Sequence, residues 1–275
     1  MNHNIGTFIA TKRKELGITQ QKLAEQLNVS FQAVSKWETG TTVPDTLLLS
    51  QLASVLKTSV DTILGYKAVP ITEYEKKYDS QEYYWGITPN RLCYEIMKLK
   101  PPVKPYKVLD IGCGEGKDAV FLAKNGYIVS AFDAAEKGVE KAREFARLHH
   151  TDVNFFHADI NEYELSEEYD IIFSSGVFHY LIPNRRERFI QNLKEHTAVN
   201  GIHAINVFVQ KPFIEVAPDS EEAELRNEPW YSGELMRYYH DWIFHKYEEE
   251  IFDCNSGGIP HKHCMNRMVA EKVLG

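Results

Sequence analysis

The hydrophobic positions of residues 1–66 recur at helical spacing. They form two stripes, one made of Ile5, Phe8, Ile9 and Leu16 and the other of Leu23, Ala24 and Leu27. Thr19 and Ser30 are suited to cap the two helices that follow them, and Gly40 comes directly after the second helix. Two more short helices are predicted to start near Asp45 and Ser59. The pattern therefore predicts five short helices in a small all-α domain.

From residue 74 onward, apolar strands alternate with helices. The predicted strands are KVLDI, IVSAFD, VNFFHAD, YDIIFSS, GIHAINVF, FHKYEEEIF and HCMNRMVAEK, and the predicted helices cover residues 118–125, 136–149 and 184–196. Near-continuous apolar strands joined by helices indicate a parallel sheet covered on both faces. No clear helix separates the last two strands, which favours an antiparallel C-terminal edge. Residues 74–275 are thus predicted to form an α/β domain with a mostly parallel seven-stranded sheet, and residues 67–73 a linker.

Charge is divided unequally between these two predicted domains. The chain has 275 residues and a formal net charge of −8. Residues 1–66 carry six Lys or Arg and five Asp or Glu, a balance of +1, which leaves −9 for the remainder. The acidic larger part is therefore a poor match for nucleic acid, whose phosphates need Lys and Arg.

The bulk features indicate a soluble cytoplasmic protein. Charged residues interrupt the apolar runs before they reach the length of a membrane span, and the N-terminus has no signal-peptide pattern. The four cysteines are scattered along the chain without the spacing of a disulfide framework. We therefore expect a reducing cytoplasm as the location and no membrane partner.

The N-terminal segment resembles a known DNA-binding family. The run ITQQKLAEQLNVSFQAVSKWETG, with the residues that flank it, resembles the phage-repressor (XRE-type) helix-turn-helix over nearly all of residues 5–65. The resemblance implies that residues 30–38 form a recognition helix in the major groove of double-stranded DNA, which residues 1–66 bind as a homodimer. The DNA-binding residues that it implies are Gln20, Ser30, Phe31, Gln32, Ser35 and Lys36.

These positions divide into two kinds of contact. The Gln32 amide suits a base edge, whereas Gln20 and Ser30 stand at helix N-termini, where they can reach phosphates. Val34 and Trp37 fall on the inward side of the recognition helix and are predicted to be core. Because the domain is barely basic, the alternative is a helical module that only packs or dimerises.

The turn after the first strand of the α/β domain carries acidic side chains among its glycines. In VLDIGCGEG, glycines occupy positions 112, 114 and 116, Asp110 ends the strand and Glu115 lies inside the turn. Two carboxylates would repel the pyrophosphate that dinucleotide-binding folds hold at this place. They suit a ligand that carries an ammonium group beside a carboxylate, with backbone amides binding the carboxylate.

The next two strands end at further candidate ligand-binding residues. Asp133 ends the second strand, 19 residues after Gly114, where an acidic side chain can accept both hydrogen bonds of a ribose diol. Asp159 and Ile160 follow the third strand and offer a polar edge and an apolar face to a base. An amino acid, a ribose and adenine together describe S-adenosylmethionine.

Four sequence segments, one at the end of each of the first four strands, together resemble the class I (Rossmann-like) S-adenosylmethionine-dependent methyltransferases. VLDIGCGEG, AFD, HADI and YDIIFSSGVFHYL occur in the order and at the spacing of that family. The cofactor-binding residues implied by the resemblance are Asp110, Gly112, Cys113, Gly114, Asp133, Ala134, Asp159, Ile160 and Ser175. Cys113 is interpreted as a small packed residue rather than a nucleophile. The alternative is a nucleotide-binding or inactive domain of the same fold.

Segments outside the cofactor motifs resemble the tellurite-resistance methyltransferase family. These segments are YYWGITPN, SGELMRYYHDWIFHKYEEEIFD and MNRMVAEK, within residues 83–272. The resemblance implies methyl transfer to a chalcogen oxyanion, such as tellurite or selenite, or to another small nucleophile such as a thiol. The family carries a His-Arg pair after the YEEE strand, and this chain has Phe252 and Asp253 there, which puts tellurite itself in doubt.

The catalytic candidates follow the fourth strand. An anionic acceptor needs cationic side chains near the methyl group, and His179 and Arg185 are placed to supply them. The transfer otherwise requires mainly alignment and exclusion of water. A second interpretation is that Arg185, Arg186 and Arg188 form a solvated helix face and that His179 is a packed residue.

The C-terminal strands contain histidines and cysteines that could be metal ligands. His261 and His263 lie two apart on a predicted strand and so share one face, with Cys254 nearby. Strand alternation separates His263 from Cys264, and no CxxC spacing is present, so no metal site is predicted.

Residues 216–235 are predicted to be either a lid over the acceptor pocket or an exposed acidic loop.

Two functions are therefore compatible with the sequence. The first is a methyltransferase that acts on a small-molecule acceptor and carries a sequence-specific DNA-binding domain. The second is a transcription regulator whose methyltransferase-like domain senses S-adenosylmethionine, S-adenosylhomocysteine or a small ligand. A DNA methyltransferase is excluded, because SSGVFHYL stands where enzymes that methylate base nitrogens carry Asn/Asp-Pro-Pro-aromatic, and because the domain is acidic.

Overall fold

The chain divides into two compact units, residues 1–68 and 69–275, and each unit has its own hydrophobic core. The computed structural model describes residues 5–58, 60–64, 72–215, 229–255 and 260–273. Three predicted features lie wholly or mostly outside the described residues: the helix start at Ser59, the linker 67–73 and the acidic segment 216–235.

The N-terminal unit is a set of short helices, as predicted. They are α1 Ile5–Glu15, α2 Gln20–Leu27, α3 Phe31–Glu38, a 3₁₀ turn Thr46–Leu48, α4 Leu49–Val55 and α5 Val60–Leu64. The predicted caps are in place, since the Thr19 hydroxyl accepts the Lys22 N–H and the Ser30 hydroxyl accepts the Ala33 N–H. Asn28 ends α2 in the left-handed conformation, with φ at 53°. A three-residue turn therefore separates α2 from α3, which is helix-turn-helix geometry.

The C-terminal unit alternates strands with helices. The strands are β1 Lys107–Ile111, β2 Ile128–Asp133, β3 Val153–His157, β4 Tyr169–Ser175, β5 Thr197–Val209, β6 Ile243–Cys254 and β7 His261–Glu271. The helices are α6 Tyr74–Tyr78, α7 Arg91–Leu99, α8 Lys117–Lys124, α9 Glu136–Leu148, α10 Pro183–Glu195 and α11 Glu234–Tyr238, with a 3₁₀ turn at Phe178–Tyr180. The three helices predicted from the sequence, now α8, α9 and α10, each lie within one residue of their predicted bounds.

All seven strands belong to one sheet, in the order β3-β2-β1-β4-β5-β7-β6. Strands β1 to β5 are parallel to one another, and β7 is antiparallel to both β5 and β6. This confirms the predicted mostly parallel sheet with an antiparallel C-terminal edge. The carboxyl ends of β1 to β6 and the start of β7 therefore lie along the same edge of the sheet, where α/β proteins bind their ligands.

Apolar side chains cover both faces of this sheet. Alternate residues of β1 enter different cores, with Leu109 and Ile111 in one and Val108 in the other. Ile172 and Ile171 of β4 divide in the same way. The unit therefore has the two-sided burial expected of parallel strands. Within the described residues, no helix has the length and apolar character needed to cross a bilayer.

Candidate functional site

The turn between β1 and α8 requires glycine. Gly112, Gly114 and Gly116 have φ angles of 74°, 51° and 84°, in the left-handed region that side chains disfavour. At Gly112 the space is closed as well, because a Cβ atom there would lie 2.2 Å from the Val177 side chain. The β1–α8 turn thus packs directly against the segment that follows β4.

The amides of this turn are engaged within the protein. The Gly112 and Cys113 N–H groups both donate to the Phe132 carbonyl, at 2.8 and 2.9 Å. The Gly114 N–H donates to Asp133. Fewer backbone N–H groups are therefore left to bind a ligand carboxylate than the sequence analysis expects. Burial raises the pKa of the Cys113 thiol well above its usual value, which agrees with a packed residue rather than a nucleophile.

Asp110, at the carboxyl end of β1, is only 1% exposed. Its Oδ2 atom is buried and, among the described residues, has no hydrogen-bond partner. Burial, followed by the nearby charge of Asp118, raises the pKa of the Asp110 carboxyl well above its usual value. An unpaired buried carboxyl oxygen costs free energy, so a ligand donor such as an ammonium group fits this position.

Asp133, at the carboxyl end of β2, is bound on both sides by backbone amides. Its Oδ2 accepts the Gly114 N–H and its Oδ1 accepts the Ala135 N–H, each at 2.8 Å. Burial raises the pKa of this carboxyl to about 6. Each oxygen keeps one further lone pair, so the side chain is held in a fixed orientation and can still accept a diol. The adjoining Ala134 carbonyl lies 2.9 Å from His157 Nε2.

The residues after β3 are joined to the segment after β4. Asp159 Oδ1 accepts the Asn161 N–H at 2.8 Å. Asn161 in turn donates to the Tyr180 carbonyl at 3.0 Å and accepts the Ile182 N–H at 3.0 Å. Ile160 is buried in the core. The proposed base-binding pair therefore lies on a turn held by hydrogen bonds, and Asn161 is an additional residue there that the sequence analysis did not identify.

Ser175 lies in a polar network that the sequence analysis missed. Its hydroxyl accepts hydrogen bonds from Asn90 Nδ2 at 2.8 Å and from Asn206 Nδ2 at 3.0 Å. The Asn90 N–H also donates to Asp118 Oδ1 at 2.6 Å. The network joins the segment before β1 to the ends of β4 and β5. Asn90 and Ser175 are 85 residues apart, so no local pattern marks the pair.

Aromatic residues that precede β1 cover the β1–α8 turn. A Cβ atom at Gly114 would lie 2.9 Å from the Tyr78 hydroxyl, and one at Gly138 would lie 2.9 Å from the Tyr78 ring. Trp85 Nε1 donates to the same Tyr78 hydroxyl at 3.1 Å, and Tyr180 donates to Tyr74 at 3.0 Å. The dense aromatics of residues 74–85 were the available signal for this cover. Tyr78 and Trp85 are therefore further candidates for cofactor contact.

The structure does not support a cationic His179. Its ring packs 4.9 Å from Phe208, and its Nδ1 atom is buried with no hydrogen-bond partner within the part of the chain that the structure describes. Burial, followed by the charge of His263, lowers the pKa of His179 to about 3. The imidazole is therefore neutral near pH 7, and its buried nitrogen can accept a hydrogen bond but binds a proton poorly and does not attract an anion.

The two arginines of α10 differ from each other. Arg186 is 4% exposed, donates to Glu234 at 2.8 Å and stacks 4.5 Å from the Trp230 ring, so the interpretation as a solvated helix face is wrong for this residue. Arg185 lines a surface cavity with Tyr163. The described contacts do not join Arg185 to His179, so the two catalytic candidates are not brought together.

In the N-terminal unit, α3 has the two faces that the sequence predicts. Val34 and Trp37 are buried in the core. On the other side Phe31, 43% exposed, and the exposed Gln32 and Lys36 point outward, while Ser35 is half-buried. The Ser30 hydroxyl is occupied as the helix cap.

Gln20 is held within the protein. Its Nε2 donates to Glu38 Oε2 at 2.7 Å, and Glu38 is also paired with Arg13. A phosphate contact from Gln20 would therefore use its remaining amide N–H, in an orientation that Glu38 sets.

Comparison with known families agrees with this division of the chain. A helix-turn-helix family matches residues 9–63, and the family described as "Tellurite resistance protein TehB" matches residues 74–258. The probable S-adenosyl-L-methionine-dependent methyltransferase TehB of Haemophilus influenzae is 27% identical over 220 residues, which cover 79% of this chain and 72% of that protein. A ubiquinone biosynthesis O-methyltransferase of Rickettsia canadensis is 32% identical over 123 residues, covering 44% of this chain and 51% of that protein.

Among solved structures, the crystal structure of TehB from Haemophilus influenzae aligns with a TM-score of 0.59 and 28% identity. The alignment covers 72% of this chain and 65% of that chain. The chain thus spans somewhat less than two thirds of that solved relative.

Proposed function

Since the chain belongs to the TehB family of S-adenosylmethionine-dependent methyltransferases, we propose that residues 74–275 transfer the cofactor's methyl group to a small-molecule acceptor. The acceptor class that we propose is a chalcogen oxyanion, such as tellurite or selenite, or a thiol. The observation that carries this proposal is the buried, unpaired Oδ2 of Asp110 beside the β1–α8 turn, since it fits a ligand ammonium group. Asp133 and Ser175 lie on the same edge of the sheet.

Each part of the cofactor has a candidate partner on this edge. We assign the ammonium group to Asp110, the ribose diol to Asp133, and the base to Asp159 and Ile160. Gly112, Cys113 and Gly114 form the floor of the site, and Ala134 and Ser175 border it. Tyr78 and Trp85 supply apolar cover, which excludes water from the reacting centre.

When bound, S-adenosylmethionine supplies an electrophilic methyl group on a sulfonium centre. The protein's part is alignment, for which Asp133 and Ser175 are held by hydrogen bonds to Gly114 and Asn90. A neutral His179 is suited to hydrogen-bond a protic acceptor and orient it, whereas its lowered pKa makes it a poor base. This favours a thiol or a protonated oxyanion over a fully charged one.

A turnover assay tests the proposal. Full-length protein is incubated with cofactor carrying a labelled methyl group and with tellurite, selenite, small thiols or amines in turn. We expect time-dependent transfer to at least one of these acceptors. Asp110→Asn should abolish transfer, and Lys104→Ala, an exposed change remote from the β1–α8 turn, should leave it intact.

Cofactor binding without turnover on any acceptor would favour the second function, a transcription regulator that senses S-adenosylmethionine or S-adenosylhomocysteine. The helix-turn-helix match supports a regulatory role in either case.

We propose that residues 1–66 bind double-stranded DNA as a homodimer, with α3 in the major groove. The exposed side chains of Phe31, Gln32 and Lys36 support this assignment.

A further inference from the structure

The register of the β6–β7 hairpin gathers three metal-binding side chains on one face of the sheet. Cys254 of β6 is paired directly with His261 of β7, and His263 lies two residues further along β7. Directly paired residues of an antiparallel ladder point to the same face, as do residues two apart on one strand. Of the two cysteines that the sequence analysis considered, Cys264 faces the other way, whereas the hairpin register places Cys254 on the same face as the two histidines.

The three ligand atoms are already close together. One donor atom from each of Cys254, His261 and His263 lies within 4.8 Å of the other two. The Nε2 atoms of the two histidines are 2.8 Å apart. A tetrahedral ion bound at about 2.0–2.1 Å to nitrogen and about 2.3 Å to sulfur holds two nitrogens and one sulfur about 3.3–3.6 Å apart. Small side-chain rotations are enough to reach that geometry.

The donor set identifies the class of ion. One thiolate and two imidazoles are borderline-to-soft ligands, which select zinc-like divalent transition metals over Mg²⁺ and Ca²⁺. All three side chains are half-buried, so an ion there would be partly shielded from water. None of the four cysteines, which all lie within the described ranges, is in a disulfide, so Cys254 can ligate a metal ion as a thiolate once it loses its proton.

The geometry points to a binding site for one zinc-like divalent transition metal ion at Cys254, His261 and His263. Three protein ligands leave a fourth position for water or an exogenous ligand. The site lies on the ligand-binding edge of the sheet: the His263 ring packs 4.8 Å from Phe208, and Phe208 packs 4.9 Å from His179. An ion there would bring positive charge to the neighbourhood of His179, which is itself neutral. The metal site does not depend on methyl transfer.

Cobalt titration tests this site directly. Reduced, chelator-treated full-length protein without an affinity tag is titrated with Co²⁺. We expect one equivalent to bind, with the intense visible bands of tetrahedral cobalt and a sulfur-to-cobalt charge-transfer band, and Zn²⁺ to displace it. Cys254→Ser should remove the charge-transfer band. His261→Ala and His263→Ala should each weaken binding by at least about tenfold.

Two matched controls come from the same strand. Lys262→Ala and Cys264→Ala change residues of β7 that point to the opposite face, so both variants should bind Co²⁺ like the parent protein. Thermal unfolding of each variant verifies that it is folded. A cobalt spectrum without a thiolate band, an unchanged spectrum in Cys254→Ser, or equal loss of binding in Lys262→Ala would overturn the assignment.

Discussion

The Gly114 backbone N–H donates to Asp133 Oδ2 at 2.8 Å, which ties the β1–α8 turn to the carboxyl end of β2. The residue assigned to the ribose therefore also holds the turn assigned to the amino-acid end of the cofactor. Asp133→Ala should weaken S-adenosylhomocysteine binding by about 1–3 kcal/mol, because it removes charge-assisted hydrogen bonds to ligand and loop alike. Calorimetry with Asp152→Ala, an exposed change, as control measures this. Parent-like affinity in Asp133→Ala would remove the ribose assignment.

The raised pKa of Asp133 predicts how stability depends on pH. Burial raises this pKa to about 6, above the value of about 3.9 expected in an unfolded chain. A group of this kind contributes stability that is fully present below about pH 3.9 and is lost as pH rises through about 6. Asp133→Asn should therefore reduce the loss of stability between these two pH values in chemical unfolding. If parent and variant lose stability equally, the carboxyl is not titrating in this range.

Cofactor affinity should rise with pH over the range in which the stability contributed by Asp133 falls. Ribose hydroxyls donate to the charged carboxylate, so bound cofactor lowers the pKa of Asp133 and binding releases a proton below about pH 6. Affinity should therefore rise with pH up to about 6 and level off above it. Calorimetry in two buffers of different ionisation enthalpy measures the released proton. Asp133→Asn serves as the control, because it should show no such release.

The sequence predicts the elements of this fold better than the contacts of its site. Helix caps and apolar periodicity are local, so α8, α9 and α10 are predicted to within one residue. The Asn90–Ser175 bond and the contact of Tyr78 with Gly114 join distant segments, and no local pattern records them. The Cys254–His261 pairing depends on a hairpin register that strand alternation alone does not determine.

The prediction that Arg186 lies on a solvated helix face was wrong for a different reason. It lies three, four and seven residues before Phe189, Ile190 and Leu193, which are all buried, so helical spacing places it on the inner face of α10. Its charge suggested solvent, but the Glu234 carboxylate and the Trp230 ring compensate that charge inside the unit. The spacing was therefore the more reliable signal at this position.

Gly112→Ala should destabilise the C-terminal unit more than a glycine change of similar backbone geometry. Gly86 has a φ of 67°, and no atom lies within 4 Å of the place that a Cβ would take there, so Gly86→Ala introduces backbone strain alone, about 1–3 kcal/mol. Gly112→Ala adds a clash with the Val177 side chain, about 1–3 kcal/mol more. Calorimetric unfolding compares the two variants. Equal shifts would show that the space beside Gly112 can open without cost.

Gln32 of α3 and Gln20 of α2 are predicted to make different kinds of contact with DNA. Gln32→Ala should relax the base preference at one operator position, because a base-edge contact is lost. Gln20→Ala should weaken binding to all sequences alike, since it removes a phosphate contact and the bond to Glu38. Retardation assays at several salt concentrations measure both effects, with exposed Gln21→Ala as control. Failure of the parent protein to prefer any sequence would mean that the unit packs or dimerises instead.

His179 is predicted to act as a neutral group in methyl transfer. With a pKa of about 3, its imidazole keeps one unprotonated nitrogen at every pH above about 4. His179→Phe retains an aromatic ring beside Phe208 but removes that nitrogen and the hydrogen bond that it can make to the acceptor, so kcat for a thiol acceptor should fall by about tenfold while cofactor affinity stays unchanged. Steady-state kinetics and calorimetry on the same preparation separate the two effects.

The pH profile of the same reaction separates a neutral His179 from a cationic one. The imidazole is uncharged at every pH above about 4, so its protonation should not affect the rate near pH 6.5. The pH–activity profiles of the parent enzyme and of His179→Phe should therefore have the same shape near pH 6.5. A change of activity with pH in this range that disappears in the variant would mean that His179 takes up a proton in the working complex and acts as a cation toward the acceptor. Full activity of His179→Phe at every pH would instead make the residue a packing contact for Phe208.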